Sequence, residues 1–186
     1  SVFVAGLKAE SLRYNYKISG TVVTDPYANR IIGRERWRDA GRVKNEFRVC
    51  GGYSDDTFSW GTDVHPEIPR HEMFLYKLNI RGFSMDAGIP AKERGTFAAV
   101  RDKIPYLKEL GINGVMLLPV YEFDENQRHV NYWGYGKAYF FAPKASYAAG
   151  DPVNEMKSLV RQMHLAGIEV ILEMPFTEGT TFSLIL

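Results

Sequence analysis

The sequence predicts an α/β protein built on a parallel sheet, and three observations predict it. Residues 74–80, 112–118 and 168–174 are short apolar-rich runs, the last two close to the pattern of parallel strands buried on both faces. Between them lie stretches with apolar residues three and four apart, the period of an amphipathic helix. Gly111 and Gly167 stand just ahead of the second and third runs, where a helix ends and a strand begins. The order is therefore β-α-β-α-β, which right-handed crossovers wind into a parallel sheet. No Gly-x-Gly-x-x-Gly follows any of these strands, so a dinucleotide site of that type is disfavoured, and no cofactor motif is legible. Spacing alone leaves a closed barrel and an open doubly wound sheet both standing.

Ahead of the repeat, residues 1–27 read as short strands with turns. Tyr14, Tyr16 and Ile18 alternate with polar residues, as in a strand half-buried on one face, and Ser19-Gly20 marks a hairpin turn before Thr21-Val22-Val23. With Val2-Phe3-Val4 they form the expected end of a β-sandwich module, and both chain ends read as cut. Residues 28–72 carry glycines and prolines without sustained periodicity, an irregular linker anchored by Trp37, Phe47, Phe58 and Trp60. Its basic run, from Arg30 to Arg42, is broken by Glu35 and Asp39 and reads as a solvated loop or hairpin.

From residue 73 to 186 the β/α repeat takes over. Phe74–Ile80 is the first strand and Arg81-Gly82-Phe83 closes it. Thr96 is an N-cap candidate for a helix whose stripe runs through Phe97, Val100, Ile104, Leu107 and Leu110, and Pro105 should divide that helix in two because proline removes a backbone donor. Pro119 closes the second strand. Asp151-Pro152 then caps a helix with Val153, Met156, Val160 and Met163 on one stripe, and Gly167 stops it.

The balance of the chain, net charge +1 with 24% charged and 45% hydrophobic residues, is that of a soluble globular protein. It argues against nucleic acid as a partner, since phosphate binding needs a clustered basic surface. No run approaches the roughly 20 apolar residues that span a bilayer, so no membrane partner is expected. Cys50 is alone and can form neither an internal disulfide nor a metal cluster; a reduced, cytoplasmic setting is the expectation. His65, His71, His129 and His164 lack ligand spacing, so no metal site is read.

The segment Asn131–Pro143 holds six aromatics and two glycines in the long connection after the second strand. Such a segment is either core filler under a loop or a stacking surface for a flat ligand such as a sugar ring. His129 precedes it and is a further ligand-contact candidate. Glu122, Asp124 and Glu125 lie nearby on what reads as a polar loop, a solvated rim rather than a catalytic pair. Arg81 reads as a structural ion-pair partner.

Taken together, Tyr76-x-Leu78-x-Ile80-Arg81-Gly82-Phe83, Gly95-Thr96-Phe97, Pro105 through Ile112, Leu118-Pro119-Val120-x-Glu122-Phe123, and Asn131-Tyr132-Trp133-Gly134-Tyr135 with Phe140-Phe141-Ala142-Pro143 resemble the α-amylase superfamily (glycoside hydrolase family 13). The branch is that of pullulanase, isoamylase and the glycogen-debranching enzymes. The resemblance implies a partial (β/α)8 TIM barrel, its first three β/α units, acting on α-glucan polysaccharide or oligosaccharide. It implies that Tyr135 stacks on the sugar at the cleavage point, with Asn131 and Trp133 shaping the same wall. Packing is the alternative role for Tyr135. The family's third strand reads Asp-Val-Val-x-Asn-His, whereas this chain has Glu173-Met174-Pro175-Phe176-Thr177-Glu178. A carboxylate cannot donate as histidine does, so Glu173 and Glu178 are candidates either for sugar contact or for structural hydrogen bonds.

Retaining glycosidases need two carboxylates about 5 Å apart, and in this family they come from the fourth and fifth strands. No catalytic residue is therefore assigned here, and the chain alone is expected to be inactive. The parent is read as a debranching hydrolase or transglycosylase, or alternatively as a non-catalytic carbohydrate-binding relative. A third of a barrel leaves strand edges open, so self-association through those edges is also expected.

Overall fold

The computed structural model describes residues 5–8, 11–39, 49–54, 57–86, 88–126 and 129–175. Its centre is a three-stranded parallel sheet of β6 (Leu75–Leu78), β7 (Gly114–Leu117) and β10 (Glu169–Leu172). β7 lies in the middle, with Leu75, Gly114 and Glu169 in one register row and Leu78, Leu117 and Leu172 in another. Each strand is added beside its predecessor in the same direction. A barrel repeats this winding all the way round; a doubly wound sheet keeps it within each half and reverses only at its switch point.

The helices form where their sequence signals stand. Thr96 caps α2 (Phe97–Arg101) by accepting from the Ala99 amide, and α3 (Ile104–Glu109) follows as a separate piece with Pro105 in its first turn. Asp151 caps α4 (Pro152–Leu165) by accepting from the Asn154 amide. Gly111 and Gly167 take positive φ, +76° and +68°, the left-handed turn that ends each helix before the next strand. Along β7, Val115 and Leu117 join Phe97, Val100, Leu107, Leu159 and Met163 in one buried cluster. The face carrying Leu78 and Leu117 is thus the helix-covered face. Period-two alternation puts Lys77, Met116 and Ile171, which share a register row, on the opposite face.

Several local expectations are corrected. The first predicted strand is shorter, because Asn79 accepts from the Gly82 amide and starts a one-turn helix, α1 (Ile80–Phe83). Among its described residues the stretch 28–72 contains two strands, β4 (Arg30–Ile32) and β5 (Cys50–Gly52), which form a sheet with β1 (Arg13–Tyr14) in the order β1-β5-β4. The predicted strand over Tyr14–Ile18 breaks at Asn15, whose amide donates to the Val49 carbonyl; β2 (Tyr16–Ile18) then pairs with β3 (Thr21–Val23) across Ser19-Gly20. Tyr16 and Ile18 are exposed rather than half-buried. Val2–Val4 and Phe47 lie outside the described residues.

The aromatic segment is also divided. Its second half is β9 (Ala138–Pro143), antiparallel to β8 (Tyr121–Phe123), with a register irregularity between Tyr121 and Glu122. Between the two strands the described residues 124–126 and 129–137 belong to the connecting loop. It is carried on this hairpin out of the carboxyl end of β7, the end where barrel enzymes assemble their sites. No described helix is long and apolar enough to cross a membrane.

Candidate functional site

At the carboxyl ends of the sheet, the loop and the third strand meet. The Tyr135 hydroxyl donates to Glu173 Oε1 at 2.9 Å, and Lys77 Nζ stands 2.6 Å from Glu173 Oε2. Glu173 directly follows β10, and its amide donates to the Leu117 carbonyl, continuing the ladder by one residue. Because residues two apart share a face, Glu173 lies on the same side of the sheet as Ile171, Met116 and Lys77. The hydrogen bond to Lys77 holds the Glu173 carboxyl below the usual carboxylate range, against the opposing effect of burial. The bond to Glu173 raises Lys77 in turn, and the same carboxylate raises Tyr135.

Asn131 shapes the loop from within. Its side-chain amide donates to the Tyr135 carbonyl at 2.8 Å and its oxygen accepts from the Gly134 amide at 3.0 Å. Gly134 has φ +87°, and a Cβ there would lie 2.7 Å from Phe123 and 2.8 Å from Pro119, so glycine is required on both counts. This turn leaves Trp133 53% and Tyr135 41% exposed. Trp133, Tyr135 and, further along, Phe141 at 50% are surface rings, while Tyr132 packs edge-on against Trp37, which stacks on the sealed Tyr147 at 5.9 Å. The choice between filler and stacking surface therefore divides along the segment. His129 is exposed at the loop's start, and Glu178 lies outside the described residues.

The carboxylates read as a solvated rim require correction. Glu122 and Glu125 are fully buried. Lys144 Nζ donates to Glu122 Oε1 at 2.8 Å, to Glu125 Oε2 at 2.9 Å and to the Phe123 carbonyl at 2.9 Å. Arg34 stands 3.6 Å from Glu122 and from Asp124 with its side chain only 12% exposed, so this part of the basic run is an ion-pair partner rather than a solvated loop. The Arg38 amide donates to Glu125 Oε1 at 2.8 Å. Burial would push the Glu125 carboxyl up, but Lys144 and these hydrogen bonds outweigh it and leave it low. Glu122 and Glu125 are thus a structural brace under the loop. Arg81 serves structure too, over the Trp37 ring at 4.8 Å.

Among the described residues no group of three or more His, Cys, Asp or Glu is placed to hold a metal ion. His65 reaches Glu169 and His164 reaches Asp63, each at 3.0 Å; Glu169 opens β10, so the first of these pairs stands at the amino end of the sheet, away from the mouth. Lys77 is the residue that sequence reading missed. The available signal was a lone lysine between Tyr76 and Leu78, placed by alternation on the face opposite the core.

A parallel sheet wound in sequence, with an aromatic loop over its carboxyl ends, is a barrel-like α/β scaffold. The model of the alpha-amylase catalytic domain matches residues 56–177, and the chain belongs to that family. Within it the chain falls in the debranching branch. It is 37% identical to isoamylase 3, chloroplastic, of Oryza sativa subsp. japonica over 205 residues, covering 94% of this chain and 26% of the relative. It is 34% identical to the glycogen operon protein GlgX homolog of Haemophilus influenzae over 206 residues, covering 95% and 30%. The structure of GBS pullulanase SAP in complex with maltotetraose is similar at a TM-score of 0.69 and 26% identity, over 86% of this chain and 24% of that one. The catalytic module of the glycogen-degrading pneumococcal virulence factor SpuA, at 22% identity and a TM-score of 0.66, agrees in fold over 87% of this chain and 27% of that one. The fold is thus partial and TIM-barrel-like, and the chain spans about a quarter of the length of the first curated relatives it matches.

Proposed function

We propose that this chain is the N-terminal part of a debranching glycoside hydrolase acting on α-glucans, holding the first three β/α units of its (β/α)8 barrel. In the parent the reaction would retain configuration, through carboxylates this chain does not supply. The observation that carries the reading is the bond of exposed Tyr135 to Glu173 beyond the carboxyl end of β10, with Trp133 exposed two residues away on the same loop. An aromatic face beside a fixed carboxylate suits a sugar, whose C–H face stacks and whose hydroxyls need acceptors. The maltotetraose held by the pullulanase neighbour supports α-glucan as the ligand class.

In this reading Tyr135 and Trp133 form the platform, Asn131 sets the loop, and Glu173 accepts from a sugar hydroxyl, with Glu178 following it along the chain. The close carboxylate pair, Glu122 and Glu125, is closed to solvent and cannot reach a glycosidic bond, which supports an inactive fragment. Residues 1–27 are assigned to the end of a β-sandwich module, 28–72 to the segment linking it, and 73–186 to the barrel. A cytoplasmic setting is proposed from the lone, buried Cys50.

A second reading is a non-catalytic carbohydrate-binding relative, favoured by the Lys77 bridge across Glu173. The test of the shared claim is native electrophoresis of the chain through gels containing glycogen or pullulan. Retardation without release of reducing sugar is expected, diminished in Trp133→Ala and Tyr135→Ala. Unretarded migration in both gels would contradict α-glucan binding, and reproducible sugar release would contradict the missing carboxylates. Sequence beyond Leu186 separates the readings: a Gly-Phe-Arg-x-Asp-like strand followed by one ending in Glu supports the enzyme, and loss of both supports the binder.

A further inference from the structure

We propose that Lys77 is itself a sugar-contacting residue of this mouth, donating a charge-assisted hydrogen bond to a glucan hydroxyl beside the Tyr135 ring. The inference rests on the α-glucan reading above and adds to it a residue and a role. An ammonium has three protons to donate; that of Lys77 stands 2.6 Å from Glu173 Oε2 as an ion pair, and its side chain is 49% exposed. Glu173 is gripped from two sides, by Lys77 at Oε2 and Tyr135 at Oε1. The three groups thus present a cationic donor, an anionic acceptor and an aromatic face within one side chain's reach of each other. Vicinal hydroxyls, each both donor and acceptor, match such a paired donor and acceptor, and hydrogen bonds to ionised groups are the stronger kind.

A separate observation shows that the polar groups around Glu173 are not closed among themselves. The Tyr121 phenol is buried, and among the described residues its hydroxyl has no hydrogen-bond partner. Burial raises that phenol, and the charge of Glu173 raises it further.

The test is calorimetric titration of the 186-residue chain with maltotetraose, comparing Lys77→Met, Lys77→Arg, Glu173→Gln, Trp133→Ala and the double variant Lys77→Met/Glu173→Gln. Lys77→Met is expected to weaken binding about 10-fold or more, the scale of one charge-assisted hydrogen bond, and Lys77→Arg to restore most of it. Lys77→Met should still weaken binding at least about threefold when Glu173 is already Gln. If it does not, Lys77 acts only by holding Glu173, and the contact is overturned. If Lys77→Met binds as wild type while Trp133→Ala weakens, the contact fails and the α-glucan reading stands. If wild type shows no saturable binding, both fall. Should Lys77→Met lose its circular-dichroism signal, Lys77→Gln takes its place with the same expectations.

Discussion

Lys144 and Glu122 form an ion pair, Nζ to Oε1 at 2.8 Å, with both side chains wholly closed to solvent. Glu125 completes it on the other side of the ammonium at 2.9 Å. Taking charges out of water is costly, and the arrangement stands because hydrogen bonds satisfy its members: the ammonium on three sides, and Glu122 also through the Ala145 amide at 2.7 Å. The brace ties the linker, through Arg34 and the Arg38 amide, to the hairpin that carries the aromatic loop.

Removing the cation should therefore be severe. Lys144→Met leaves two buried carboxylates without their shared partner and is expected to cost about 3–5 kcal/mol. Urea unfolding of both proteins measures it, and a loss below about 1 kcal/mol would place the carboxylates in water after all.

The pH dependence follows from the same geometry. Glu125 and Glu173 both have folded pKa values below their unfolded ones, so their contributions are present above the unfolded carboxylate value, about 4.3, and are lost as pH falls through the folded values. Lys77 is raised, so its share is full below about 10.4 and lost as pH rises through its folded value. Melting temperature should fall on acidification below about pH 4.3, and less steeply in Lys77→Met, where Glu173 has no bridge to lose. Parallel acid limbs for the two proteins would contradict the bridge.

Gly134→Ala should disorder the loop. Its φ of +87° and a Cβ 2.7 Å from Phe123 leave no unstrained accommodation, and a cost of about 1–2 kcal/mol is expected from the backbone alone. Amide exchange in 124–137 should quicken while exchange in the parallel sheet stays slow; an unchanged loop would show that the turn does not need glycine.

The outer edges of β6 and β10 have no strand partner among the described residues, and Phe74 is 70% exposed beside one of them. Sedimentation should show concentration-dependent self-association, reduced by Phe74→Lys or by Val170→Pro. A monomer up to high concentration would contradict that expectation.

What the sequence made legible was local. Thr96, Asp151, Pro105, Gly111 and Gly167 each act on their own helix within a turn, so their roles could be read off spacing. The three strands announced themselves by apolar content. The brace did not, because Glu122-Phe123-Asp124-Glu125 looks like a polar loop until Lys144, 22 residues on, and the Arg38 amide, 87 residues back, are brought to it by the fold. Strands β4 and β5 were hidden for a similar reason: each is only three residues long, and β5, Cys-Gly-Gly, is made by pairing rather than by propensity. At the mouth, Tyr135 and Glu173 were named from resemblance, but their direct bond and the reach of Lys77 are products of register.

The three tryptophans give the most direct test, because each reports a different place: Trp37 packed among the core rings, Trp60 in a groove against α4, and Trp133 at the mouth. Titrating the ¹⁵N-labelled chain with maltotetraose should shift the Trp133 indole N–H in a saturable way and leave those of Trp37 and Trp60 in place. Movement of Trp60 with Trp133 unmoved, or no movement at all, would contradict a carbohydrate-facing mouth.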